Sequence, residues 1–178
     1  MRRKEAEIKE AVHGDFDEFH RRTLGLYLEH DDLLSSPIAS LEGFIAEKMQ
    51  PYEEQLALLV TIPGVDRIAA WSMLAELGPD MSVFPDAEHC ASWAGLAPGT
   101  HESAGLQKTG RTKKGNRYLR RILTQSAWAN SHRQDGYLPA VFHRIKARRG
   151  WSKAIVAVAR KSSSSLTTYL KTRRLTRS

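Results

Sequence analysis

The chain of 178 residues is 41% hydrophobic and 26% charged with a formal net charge of +7, the proportions of one soluble domain, or one with an appendage, and not of a disordered chain. Its longest apolar runs, such as 155–159, are too short to span a membrane; Met1–Lys4 leads into acids and not into a signal core; and the lone Cys90 excludes an internal disulfide and a Cys-rich zinc site. An intracellular, cytoplasmic protein is expected. The charge is unevenly spread: residues 101–178 hold 19 Lys/Arg against Glu102 and Asp135, a balance of +17, and residues 1–100 hold 8 against 18 acids, a balance of −10. An asymmetry of that size points to a polyanion partner for the C-terminal half.

Residues 1–58 read as a helical stalk. Ile8, Val12, Phe16 and Phe19 recur at helical spacing, followed by Leu34, Ile38, Leu41, Ile45, Met49, Tyr52, Leu56 and Leu59 in a near-heptad stripe. Ser36-Pro37 has the form of an N-cap followed by proline at the first helical position, so a break is expected there. Two readings stay open: a helical hairpin packed on its own core, or a coiled coil that pairs protomers.

A second domain is expected over 59–178. Thr61-Ile62-Pro63-Gly64-Val65-Asp66 lies between two apolar helices and gives 59–78 a helix-hairpin-helix pattern, with Pro63 and Gly64 in the turn. Such a turn can offer backbone N–H groups to a phosphate, but the carboxylate of Asp66 would repel one, so a structural turn and a DNA contact are both readings of it. Asp86 opens a short helix with Trp93 expected on its buried side; Cys90 reads as a core filler, and its adjacency to His89 is poor metal geometry, so no metal site is expected.

The stretch 100–116 reads as a polar loop, rich in glycine, hydroxyls and cations. Lys108, Arg111, Lys113, Lys114, Arg117 and Arg120 surround one serine, Ser103, and form a candidate phosphate-binding surface that matches no nucleotide-loop spacing. A helix from Arg117 to about Asn130 follows. Another after Pro139 sets Arg144, Lys146, Arg148 and Arg149 opposite Val141, Phe142 and Ile145, and ends at Gly150. The last helix runs from Lys153 to about Leu170, with Ser162–Ser165 expected to weaken it and a frayed basic tail beyond. The fold class is mainly all-α.

The ordered set Leu59-Val60-Thr61-Ile62-Pro63-Gly64-Val65, Phe84-Pro85, Ala91-Ser92-Trp93-Ala94-Gly95-Leu96-Ala97-Pro98-Gly99, Glu102-Ser103-Ala104-Gly105, Gly110-Arg111-Thr112-Lys113-Lys114-Gly115-Asn116, Arg148-Arg149-Gly150 and Lys153–Ala159 resembles the C-terminal half of the insertion-sequence one-ten (one-ten/one-sixteen/nine-oh-two) transposases. The resemblance covers about 15–161. It implies a bacterial, nucleoid-associated DNA recombinase guided by a structured (bridge) RNA. It also implies an N-terminal RuvC-like domain whose four acids bind Mg²⁺, and a C-terminal serine that becomes joined to DNA. By position that serine is Ser103, with Arg111, Lys113, Lys114 and Arg117 holding or neutralising phosphates; His101 is near it in sequence. Read without the family, Ser103 is a loop serine making a local backbone bond.

The RuvC-like domain has no counterpart in 1–100, whose acids sit on helical scaffold. The expectation is therefore a truncated product or fragment, inert alone, with no cofactor of its own. Its expected partners are DNA and guide RNA, with self-association through the stalk and no membrane. The rival expectations are a stand-alone, non-catalytic, self-associating nucleic-acid-binding protein and an inactive transposase remnant.

Overall fold

Asp17 starts the first described helix. Its backbone is extended and its carboxylate accepts from the His20 N–H at 2.8 Å, so the chain enters α1 (Glu18–Met49) through a capped first turn. A computed structural model describes residues 17–103 and 106–175, with the side chains of 17–99 and 112–171; Ile8, Val12 and Phe16 of the early stripe lie outside the described residues. The chain divides into two compact units at Gln50/Pro51.

In the first unit, α1 runs unbroken through Pro37, contrary to the expected break at Ser36-Pro37. A proline inside a helix loses one backbone bond and crowds the preceding turn, a cost of about 3 kcal/mol. The 32-residue helix absorbs that cost without ending. At 1.5 Å per residue α1 is about 48 Å long. None of its residues is buried: Leu34, Ile38, Leu41 and Ile45 all stand exposed. Residues 18–49 therefore do not form a self-packed helical hairpin. The apolar stripe also changes role after Met49: α1 ends in a 3₁₀ turn at Gln50–Tyr52, and Leu56 and Leu59 belong to the core of the second unit.

The second unit follows as α2 (Glu53–Val60), α3 (Arg67–Leu77), a 3₁₀ turn at Met81–Val83, α4 (Ala87–Trp93), β1 (Pro98–Ser103), β2 (Leu106–Thr112), α5 (Arg117–Ser131), α6 (Tyr137–Arg149) and α7 (Trp151–Leu175). The fold is mainly all-α, as expected. The helix starts are written in side chains: Asp66 accepts from Ala69 N–H at 2.7 Å and Asp86 from His89 N–H at 2.9 Å. The α6–α7 corner turns on Gly150, whose φ of +83° suits glycine. Helix α7 is the central element, packing against α2, α4, α5 and α6. Around it Leu59, Met73, Leu119, Leu123, Val158 and Leu166 are fully buried, each such side chain contributing roughly 1.5–3 kcal/mol by leaving water.

Three expectations about this unit are corrected. The stretch 100–116 is not an irregular loop: 98–112 forms an antiparallel two-stranded ribbon whose register pairs Thr100 with Thr109, His101 with Lys108 and Ser103 with Leu106. The four serines do not weaken α7, which continues to Leu175. Ser162 and Ser163 are buried, and Ser163 and Thr167 return their hydroxyls to carbonyls one turn back, at 2.7 and 2.9 Å. Trp93 is 39% exposed, its ring set edge-to-face on Phe84 at 5.7 Å. Cys90 is the core filler expected; burial pushes its thiol pKa up, against smaller opposing effects of Thr167 and Lys171.

Candidate nucleic-acid interface

The ribbon that carries Ser103 is anchored at its base. Gly95 turns the chain with φ of +70°, and Gly115 crosses it so closely that a side-chain carbon on Gly115 would strike the backbone of Trp93 and Gly95. Around the crossing, Asn116 N–H donates to the Trp93 carbonyl at 2.7 Å and Lys113 N–H to the Ala97 carbonyl at 3.3 Å. The Asn116 side chain does two things. Its Oδ1 caps α5 by accepting from the Tyr118 and Leu119 N–H groups, both at 2.9 Å, and its Nδ2 donates to Glu76 Oε2 on α3 at 2.6 Å.

Arg120 closes the base from α5, its Nη1 donating to the Gly95 carbonyl at 2.5 Å and to Thr112 Oγ1 at 3.0 Å. The ribbon thus leaves a fixed platform, and Ser103 pairs with Leu106 in the last rung before residues 104–105. The side chains of His101, Ser103, Lys108 and Arg111 lie outside the described residues.

The other expected phosphate contacts separate by position. Lys113 and Lys114 are exposed in the segment between the ribbon and α5. Arg117 is exposed too, its guanidinium 4.8 Å over the Tyr118 ring and donating to the Tyr118 hydroxyl at 2.8 Å. Arg120 is half-buried in the anchor just described. Pro63 is exposed, but its carbonyl accepts from Asn130 Nδ2; Gly64 lies against the Ser126 carbonyl with no room for a side chain, and Asp66 already caps α3. These contacts tie the turn to α5.

A basic cleft of about 1,100 Å³ lies where α6 meets α7. Arg144, Arg148 and Arg149 come from α6, and Lys153, Arg160 and Lys161 from α7; Pro98 and Thr112, at the base of the ribbon, also line it. Glu88 is the acid among its lining residues and is ion-paired with Arg160. Sequence reading placed the α6 cations on one helix face but not opposite those of α7. The signal available was Arg148-Arg149-Gly150 followed by Lys153, a basic run folded across a glycine corner. Beyond Lys161, Tyr137 is exposed with the Lys161 ammonium 5.3 Å over its ring. A hydrogen bond from Lys161, then its charge, lowers the phenol pKa, and the Arg144 charge adds to the effect.

Among the described residues no group of three or more His, Cys, Asp or Glu side chains could hold a metal ion, and no helix is long and apolar enough to cross a membrane. The donor set for the Mg²⁺ implied by the resemblance is thus not found in the described part of this chain.

Residues 56–143, which span the turn, the anchored ribbon and α5, match the transposase IS116/IS110/IS902 family. This part of the chain is similar to that family. Three relatives agree. The insertion element IS110 43.6 kDa protein of Streptomyces coelicolor is 35% identical over 153 residues, covering 79% of this chain and 37% of that protein. A probable family 20 transposase of Pseudomonas aeruginosa is 32% identical over 97 residues, 54% of this chain and 28% of its own length. The insertion element IS900 42 kDa protein of Mycobacterium paratuberculosis is 31% identical over 90 residues, 51% of this chain and 22% of its own. The IS110-type match therefore takes in less than two fifths of each relative.

Proposed function

We propose that this chain is the DNA-handling portion of an insertion-element transposase, with Ser103 as the nucleophile that becomes joined to DNA. What carries the reading is that the family match includes Glu102-Ser103, on a ribbon held at its base by Arg120, Asn116 and the Gly95–Gly115 crossing. In this reading the Ser103 hydroxyl oxygen bonds to the scissile phosphorus while the bond from phosphorus to one sugar oxygen breaks. The serine proton passes to a general base and the departing oxygen takes up a proton. Charge on the phosphoryl oxygens is met by cations near the ribbon, with Lys113, Lys114 and Arg117 the described ones. A rigid base matters because such chemistry depends mostly on position. Guide RNA and a second protomer enter as partners; the exposed apolar stripe of α1 supports the latter.

The test supplies the RuvC-like half of a relative, element-end DNA and guide RNA, and looks for DNA–protein adducts that survive detergent. Wild-type chain is expected to form them. Ser103→Ala is expected to form none while binding DNA unchanged, and adducts that survive the substitution remove Ser103 from the role. A second reading, binding without chemistry, is favoured by the α6–α7 cleft, which needs no serine to hold phosphate. Binding with no adduct from either protein would select it.

A further inference from the structure

The α6–α7 cleft has a neighbour at Lys161. A second cavity of about 470 Å³, lined by Arg133, Asn130 and Tyr137, shares Lys161 and Ser164 with the first. The two cavities adjoin at Lys161 and Ser164; Pro98, Thr112 and the cations of α6 and α7 line the first, and the exposed Tyr137 lines the second.

The lining of the first cavity is mixed: besides the cations, Leu96, Ile145, Val156 and Ala157 contribute apolar surface. A duplex presents phosphates outward and would use the cations alone. An unpaired strand also has base faces to lay on apolar surface and on an aromatic ring.

We infer that these two adjoining cavities together serve as a binding groove for single-stranded DNA, phosphates along Arg144, Arg148 and Lys153 and a base stacked on Tyr137. The choice of DNA over RNA rests on the reading of Ser103 as a DNA nucleophile: a strand leaving the groove at Pro98 and Thr112 meets the ribbon that bears Ser103. Glu88 restrains the site, holding Arg160 in an ion pair that an incoming phosphate must displace.

Fluorescence anisotropy of the full chain with a labelled oligodeoxythymidine, an oligouridine of equal length and a DNA duplex tests this. The deoxy single strand is expected to bind tightest. Arg148→Gln combined with Lys153→Gln removes two exposed cations and is expected to weaken its binding roughly tenfold or more, lowering the slope of log affinity against log salt by about 1.4. Tyr137→Ala is expected to weaken it roughly fivefold or more.

Glu88→Gln is expected to tighten binding, a gain that misfolding cannot produce. Unchanged affinity in the double variant, weaker binding by Glu88→Gln, or tighter binding of the duplex or the oligouridine overturns the inference. These affinities do not depend on adduct formation, so a failed Ser103→Ala test leaves them readable.

Discussion

Asn116 shows how one side chain can settle a site it does not itself serve. Truncating it removes the α5 cap, worth about 1 kcal/mol, and also frees Glu76 on α3. Gly115 is stricter still, because its neighbours at the crossing are backbone, which cannot rotate away. Gly115→Ala is expected to destabilise the second unit by at least about 2 kcal/mol and to lower its melting temperature by roughly 4–8 °C, measured by scanning calorimetry. Gly115 stands in the family-like Lys-Lys-Gly-Asn run, yet spacing alone could not say why glycine is needed there; the reason is a contact with Gly95, which only the folded chain brings near. Arg120 is another case. Its charge counted toward phosphate binding in the sequence, and the structure uses its Nη1 to hold a carbonyl and a hydroxyl.

Among the elements, helix starts and stops were the most legible, because Asp66, Asp86 and Gly150 act on their own neighbours. The ribbon was not legible: 98–112 lacks the alternation of apolar residues that marks a half-buried strand, and its order comes from anchoring at the base. Local propensity misled in α7 for the opposite reason. Ser162 and Ser163 are buried on a helix that packs against four others, where small side chains permit close approach and burial outweighs a weak preference for turns. Ser162 is the extreme, 1% exposed with a hydroxyl that finds no partner. Ser162→Ala is therefore expected to stabilise the fold by about 1 kcal/mol or more, read as a rise in melting temperature, whereas a fall would mean that the hydroxyl is bonded in solution. The cleft escaped sequence reading because its cations belong to two helices and face each other only after the turn at Gly150.

At the scale of the whole chain, the two units differ in kind as well as charge. The second has its own core, built of Leu56, Leu59, Leu119, Leu123 and Leu166 among others, and α1 adds no buried residue to any core. Residues 51–178 alone are expected to keep the melting transition and the salt-dependent binding of nucleic acid while losing self-association, measured by calorimetry, anisotropy and sedimentation. Loss of the transition would show that α1 is part of the folded core. The crossing of Gly95 and Gly115 also has a mechanical meaning. From Pro98 to Ser103 the ribbon extends about 16 Å at some 3.3 Å per residue, so the crossing is the fulcrum of a lever with the serine near its free end. A tilt of about 5° there would carry Ser103 about 1.4 Å, and, on the proposed reading of Ser103 as the nucleophile, a misplacement of about 1 Å can cost a hundredfold in rate. Aiming error at the tip is thus set by the stiffness of a joint made of two residues without side chains.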